Sequence, residues 1–346
     1  MTTMYDVVVL GAGTAGINAA HAAADAGART LLVNDGAPVT ACAAKNCMPS
    51  KALLAATHVA HRARNAAPFG VHVQGEVVAD FSSMVAQVNE QVRLFTRSVE
   101  QGVRQAVDAG TFDFLVGRAA FVPGGGVAVN GQRFAARRYV IATGSVPLIP
   151  SIEGLDSVPY FTSDGVLELE EAPRSLVIIG AGPVGLEFAE VFARVGTDVL
   201  LVERGTLLPD FDPEFGEEFA RYFEAEPHLT VHTSAQVTRV RQGEQGRGLR
   251  VTIGSGERTW EHDTEHLMVA TGRRPALDGL GLEHVGLEPE HGTLKVNTAM
   301  QTANLDVFWL AGDVVGPQIL HIAAEEGRVA GHNAAVGWGE RTMDYA

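Results

Sequence analysis

Two cysteines stand five positions apart in the stretch ACAAKNCMPSK, residues 41–51, and Cys42 and Cys47 are the only two in a chain of 346 residues. Thiols so placed permit four kinds of chemistry: a structural disulfide, half of a metal site, inert core thiols, or a cycling redox pair. Two other stretches indicate what such a pair would work with. Gly11-Ala12-Gly13-Thr14-Ala15-Gly16 and Gly180-Ala181-Gly182-Pro183-Val184-Gly185 both read G-x-G-x-x-G. In a turn of this kind the first glycine permits the sharp bend and the second lets backbone approach a pyrophosphate. The third lets helix pack on strand, and the helix N-terminus offers N–H groups and positive dipole to the phosphates. A lone copy is weak evidence, but here each stands between a β-branched run and a helical pattern.

The elements that must position these residues repeat as well. Residues 7–35 align without a gap on residues 176–204, each reading as strand, glycine turn, helix and second strand. YVIATGSVP (139–147) and LMVATGRRP (267–275) form a second pair, each an apolar strand running into Ala-Thr-Gly. DVFWLAGD (306–313) has no counterpart in the second copy and is expected to return to the first sheet, with residues 321–335 as a closing helix. The fold class is therefore α/β, with two Rossmann-like nucleotide-binding domains, the second inserted into the first. The expected boundaries are 1–147 and 273–346 for the first domain and 148–272 for the second. Between the repeats, Met84, Val88, Val92, Phe95, Val99 and Val103 carry helical apolar spacing and predict core packing.

Composition narrows the function. Hydrophobic residues make up 46% and charged residues 19%, as in a soluble globular protein, and the formal net charge of −15 argues against nucleic acid as a partner. The N-terminus lacks a signal peptide's basic region and cleavage site, and no segment approaches the roughly 20 apolar residues that span a bilayer. The expected location is the cytoplasm, with no membrane partner. There, a cysteine pair is more often catalytic or metal-binding than a permanent staple.

The residues that end the two repeats differ. The second repeat ends in Glu203, where a carboxylate accepts from a ribose 2′-OH and repels a 2′-phosphate, so NAD is favoured over NADP. Arg204 beside it reads as a solvated arginine. The aligned residue of the first repeat is Asn34, with Asp35 next, and either Asn34 or a register-shifted Asp35 is expected to meet the ribose. Two dinucleotide sites in one chain imply a relay between carriers, with FAD in the first and a nicotinamide in the second.

With these motifs in place, the chain resembles the flavin-dependent pyridine nucleotide-disulfide oxidoreductases, and within them it is most similar to the dihydrolipoyl dehydrogenases. The resemblance rests on Gly11–Gly16, C-x4-C-x-P-S-K from Cys42 to Lys51, and A-T-G-S from Ala142, Thr143 and Gly144 to Ser145. It continues through G-x-G-x-x-G-x-E at Gly180–Glu187, A-T-G-R-R-P from Ala270 through Gly272 to Pro275, and A-G-D at Ala311–Asp313. These follow the family's order over essentially the whole chain. The resemblance implies that Cys47 lies against the flavin as the charge-transfer thiol and that Cys42 exchanges with an external dithiol or disulfide. It also implies a Lys51–Glu187 ion pair near flavin N5 and contacts from Gly312 and Asp313 to the flavin. The substrate it implies is a small dithiol, with the lipoyl group first, oxidised by NAD in a homodimeric full-length enzyme. The residues agree in part: Lys51, four past Cys47 at the apparent start of a helix, brings positive charge and a helix terminus near the thiol, and Pro49 is tolerated in a first turn.

Departures from the family pattern bear on the substrate. Val39, Thr40 and Ala41 replace the usual glycines before Cys42, and Lys45-Asn46 replaces an apolar residue and glycine. Asn46 is expected to take the glycine's left-handed conformation. The family's C-terminal interface domain, which supplies a His–Glu acid–base pair across the dimer, is expected to be absent. No H-x4-E stands in the final segment, and His321 and His332 fall to the closing helix. Turnover of a dithiol by this chain is accordingly expected to be poor. The alternatives are a reductase of another disulfide or of mercuric ion, a flavin NADH oxidase or peroxidase, a flavin-binding part without turnover, and a zinc module using Cys42, Cys47, His58 and His61. The zinc spacing is poor, and no metal is expected.

Overall fold

A computed structural model of the chain describes residues 3–303, 306–316 and 318–345. The chain forms two compact units: Met1–Ala44, Arg93–Val146 and Arg273–Ala346 in the first, Lys45–Val92 and Pro147–Gly272 in the second. Residues 45–92, which the sequence reading groups with the first domain, pack with the second unit.

The first unit opens with β1 (Thr3–Leu10), α1 (Thr14–Asp25), β2 (Thr30–Asn34) and the short α2 (Ala41–Ala44). The second unit then takes α3 (Cys47–Arg64) and the start of α4 (Phe81–Asp108). Back in the first unit come the rest of α4 and five strands: β3 (Asp113–Val116), β4 (Ala119–Phe121), β5 (Val127–Val129), β6 (Gln132–Ile141) and β7 (Ser145–Pro147). The long second-unit segment runs through β8 (Phe161–Thr162), β9 (Ser175–Ile179), α5 (Pro183–Val195), β10 (Asp198–Val202), α6 (Pro213–Glu224) and β11 (Leu229–His232). It continues with β12 (Gln236–Gln242), β13 (Leu249–Ser255), β14 (Arg258–Thr264) and β15 (His266–Val269). The first unit closes with β16 (Arg273–Pro275), β17 (Phe308–Leu310) and α7 (Leu320–Val336).

In the first unit the sheet order is β3-β2-β1-β6-β5-β4, with β17 also on β6. β3, β2, β1, β6 and β17 run parallel, while β5 pairs antiparallel with β6 and β4 antiparallel with β5. Residues 308–310 thus rejoin the first sheet, as their sequence predicts. Parallel strands covered on both faces are apolar throughout. Val7 and Val9 face one core, with Trp309 and the Ala-rich side of α1, while Val8 and Leu10 face the other, with Phe121, Tyr139 and Phe308. Alanine dominates α1 because α7 lies directly on it. A Cβ on Gly327 or Gly331 would collide with the backbone of Ala15 or Ala19.

In the second unit β11-β10-β9-β15-β8 form a parallel sheet, and β12-β13-β14 an antiparallel one. Leu176 and Ile178 of β9 pack under α5 with Leu53 of α3 and Phe81, Val85 and Val88 of α4, while Val177 and Ile179 pack against Val237, Val251 and Ile253. The apolar stripe of α4 therefore serves both cores in turn, because Val103 and Ala106 bury in the first unit. Phe95 departs from the expectation: it is 44% exposed, in the stretch where the helix passes from one body to the other.

Candidate active site

The two glycine turns are built alike. Gly11 and Gly180 take φ of +103° and +104°, open only to glycine, and lie so close to Ala142 and Ala270 that a Cβ would strike their carbonyls. A Cβ on Gly16 or Gly185 would likewise strike the carbonyl of Gly11 or Gly180. By contrast, a Cβ on Gly13 or Gly182 meets no atom within 4 Å, which leaves the middle of each turn open to an approaching group. Gly13 and Gly182 are the N-caps of α1 and α5, and neither helix has a side-chain cap on its first N–H groups.

The residue that closes each turn differs. In the first unit Asn34 Oδ1 accepts from Ala12 N at 2.8 Å, and Asn34 Nδ2 donates to the carbonyls of Gly36 and Ala37 at 3.3 and 3.0 Å. In the second, Glu203 Oε2 accepts from Ala181 N at 2.9 Å and Oε1 from Gly205 N at 2.8 Å. Glu203 is buried and Arg204 exposed. The registers match, since Gly11 N donates to Val33 O and Gly180 N to Val202 O. No slip therefore brings Asp35 to the Asn34 position, and Asp35 stays exposed.

Three motif segments of the first unit are joined by hydrogen bonds. Arg273 Nε donates to Ser145 Oγ at 2.9 Å, and Ser145 Oγ donates to Asp313 Oδ2 at 2.9 Å. Gly312 N, next to that aspartate, donates to Glu326 Oε2 of α7 at 2.7 Å. Thr143 Oγ1, of the Ala-Thr-Gly segment, is buried with no hydrogen-bond partner in the protein. Cys42 also belongs to this unit, half-buried on α2.

In the second unit α3 begins at Cys47, one turn earlier than the sequence suggests, so the exposed thiol itself sits on the first helical residue. Asn46, before it, takes φ of −114° rather than a left-handed value, because it enters the helix as its N-cap. Lys51 lies one turn on, and its Nζ meets Glu187 Oε1 of α5 at 2.6 Å. Further along α3, His58 Nε2 meets Glu190 Oε1 of α5 at 3.3 Å, and His61 Nδ1 meets Glu226 Oε2, just past α6, at 3.6 Å. The buried Arg194 guanidinium draws both carboxylates together, at 2.6 Å from Glu190 and 3.5 Å from Glu226. The histidines weighed as zinc ligands are thus taken by carboxylates, and the described residues hold no group of three or more side chains arranged to bind a metal.

The sequence matches the pyridine nucleotide-disulphide oxidoreductase family over residues 5–327. The chain belongs to that family. Its cofactors are FAD and a nicotinamide dinucleotide, and both glycine turns fit dinucleotide phosphates, being open over Gly13 and Gly182 and tightly backed elsewhere. The orphan Thr143 hydroxyl is a further polar atom awaiting a partner in the first unit. Among relatives of this family, a mercuric reductase of Streptomyces lividans is 37% identical, covering 99% of this chain and 72% of its own. A dihydrolipoyl dehydrogenase of Bacillus subtilis is 32% identical, covering 95% of this chain and 71% of its own. The solved copper(II) complex of the HOCl-induced flavoprotein disulfide reductase RclA from Escherichia coli superposes with a TM-score of 0.82 at 25% identity, covering 99% of this chain and 73% of that one. Other mercuric reductases are longer, and the chain spans 53 to 61% of their length.

Several contacts carry no mark in the sequence. Glu326, fully buried, and Tyr345 meet only through tertiary packing, and so do Ser145 and Arg273. His332 Nε2 meets Glu340 Oε2 at 3.0 Å, a histidine–carboxylate pair at a spacing no motif marks. His321 is exposed on the first turn of α7. No helix among the described residues is long and apolar enough to cross a membrane.

Proposed function

We propose that the chain carries electrons between NAD(H), FAD and a Cys42–Cys47 redox pair, and that the pair's outer partner is a small dithiol or disulfide, the lipoyl group first. The observation that carries this reading is the pairing of two equivalent glycine turns with different closing residues, neutral Asn34 and anionic Glu203. The first turn, with Thr143, Gly144, Gly312 and Asp313, holds FAD; the second, with Gly272 and Glu203, holds NAD(H). Glu203 favours NAD(H) because a second anion at a 2′-phosphate would face a buried carboxylate.

Bound FAD supplies the two-electron carriage between hydride donor and sulfur. The chain's own residues do the rest. The N–H groups of α1 and α5 hold phosphate, and Lys51, neutralised by Glu187, sets the polarity beside Cys47. In the reducing direction the Cys42 thiolate attacks an external disulfide, forming a mixed disulfide and releasing one substrate thiol. Cys47 then attacks Cys42 sulfur, which closes the Cys42–Cys47 bond and releases the second thiol. Two electrons leave the pair and reduce one substrate disulfide, and dithiol oxidation runs the same steps backward.

A second reading, reduction of mercuric ion, is favoured by the mercuric reductases among the relatives, at 32 to 37% identity over nearly this whole chain. Anaerobic titration of the FAD-loaded, oxidised protein with NADH tests the shared chemistry: about one equivalent is expected to pass through the flavin and reduce the Cys42–Cys47 disulfide, and about one more to bleach the flavin absorbance. No reduction by NADH would sink both readings. Parallel turnover with lipoamide and with mercuric ion, in wild type and Cys42→Ser, then decides between them. Cysteine-dependent oxidation of NADH by mercuric ion alone would replace the dithiol reading with the second.

A further inference from the structure

The Gly312–Asp313 turn is fixed from two sides. On the side chain, Ser145 donates to Asp313 and is itself held by Arg273. On the backbone, Glu326 Oε2 accepts from Gly312 N at 2.7 Å, and Glu326 Oε1 accepts from the Tyr345 hydroxyl at 2.7 Å. Glu326 is 0% exposed, so these two donors are the groups that satisfy its carboxyl. The turn has little slack: a Cβ on Gly312 would lie 2.8 Å from that of Ala15, in the first turn of α1, and Gly327, beside Glu326, rests on the Ala15 carbonyl. Glu326, Gly312 and the N-terminal end of α1 therefore form one packed unit.

Tyr345 reaches Glu326 because the segment before it is tied down. Asn333 of α7 is fully buried and binds the carbonyls of Ala299 and Arg341, at 3.0 and 2.8 Å, while accepting from Arg341 N at 2.9 Å. Met343 N donates to Thr298 O at 2.8 Å. Tyr345 lies outside the family match, which ends at residue 327.

We propose that Glu326 and Tyr345 are a positioning pair for FAD: they hold the Gly312–Asp313 turn against α1, so that the segment after α7 contributes to flavin affinity without touching the flavin. The inference rests on the first unit being the FAD site. Glutamine at 326 retains both bonds, with Oε1 accepting from Gly312 N and Nε2 donating to the tyrosine oxygen, whereas alanine leaves the buried Gly312 N–H without an acceptor.

The test measures dissociation constants of FAD and NADH on the full chain by calorimetry, for wild type, Glu326→Ala, Glu326→Gln and Tyr345→Phe. Glu326→Ala is expected to weaken FAD by about tenfold or more and Tyr345→Phe by roughly threefold to tenfold. Glu326→Gln is expected to restore FAD affinity to within about twofold, with NADH affinity unchanged in all three variants. Should Glu326→Ala not fold, Tyr345→Phe, at a half-exposed residue, carries the test against Glu326→Gln. Unchanged FAD affinity in Tyr345→Phe, or FAD and NADH affinities falling together, would overturn the positioning pair alone. Failure of the wild-type chain to bind FAD would instead overturn the reading it rests on, and the pair with it.

Discussion

Asn34 and Glu203 occupy the same place in two copies of one turn, yet they organise the following loop in opposite senses. Asn34 offers one acceptor and two donors, so the loop after β2 turns the carbonyls of Gly36 and Ala37 inward to meet it. Glu203 has only acceptors, so the loop after β10 turns the Gly205 N–H inward. Both side chains clamp the turn through one N–H, that of Ala12 or Ala181. The backbone of a nucleotide turn is thus conserved between the units by glycine sterics, while one closing side chain sets the charge each turn presents. A neutral closing residue tolerates a ligand chosen by other contacts; a buried anion discriminates by repulsion.

The glycines give the sharpest way to break this equivalence. Gly16→Ala and Gly185→Ala each place a methyl into a fixed carbonyl, and each is expected to cost at least about 2 kcal/mol in urea unfolding. Gly16→Ala should abolish FAD binding while sparing NADH, and Gly185→Ala the reverse. Gly13→Ala, with open space around it, should fold with wild-type stability. Loss of both ligands in either single variant would show that the turns do not act separately.

Isosteric exchanges at the closing residues come next in size. Asn34→Asp sets a carboxylate against two carbonyls, and Glu203→Gln sets an amide N–H₂ against a backbone N–H. Glu203→Gln should lose about 1 to 3 kcal/mol by leaving a buried polar group mispaired, and Asn34→Asp, at a half-buried residue, less. Glu203→Gln should also narrow the preference for NADH over NADPH, measured as the ratio of kcat/KM values for flavin reduction. An unaltered ratio would assign nucleotide choice to another residue.

A pH effect separates the units further. Burial pushes the Glu326 carboxyl in the first unit above its ordinary range, and the charge of Asp313 adds to the rise. The native state then holds its proton at pH values where the unfolded chain has released it. This contribution to stability is full below the unfolded carboxyl value and is lost as pH rises through the raised native one. Urea midpoints should therefore carry a downward component with rising pH that Glu326→Gln removes; the same slope in the variant would contradict the assignment.

A small effect on stability is expected at Lys51→Met. Its ion pair with Glu187 is short, but the lysine is mostly exposed, so the loss should stay under about 1 kcal/mol. Its consequence should appear in the rate of disulfide reduction within the NADH-treated protein, by stopped-flow absorbance. A large fall in stability with an unchanged rate would make the pair structural.

Much was determined by the sequence alone. The glycine spacing, the flanking β-branched runs and the repeat at a fixed offset dictate two nucleotide turns, because only glycine fits Gly11, Gly16, Gly180 and Gly185 where backbones nearly touch. The return of residues 308–310 to the first sheet was legible for the same reason, as an apolar strand with no partner in the second repeat. Tertiary structure alone decided which body claims each segment. α3 and the first half of α4 read as helices from their periodicity, but periodicity does not name the core a face will meet, and both joined the second unit. Asn46 became a helix entry rather than a left-handed hinge, because α3 begins at Cys47. Glu326, Tyr345, Ser145 and Arg273 lie far apart in sequence, and a buried carboxyl's worth depends on donors brought to it by packing. No local pattern encodes that meeting, and it arises only when α7 closes over α1.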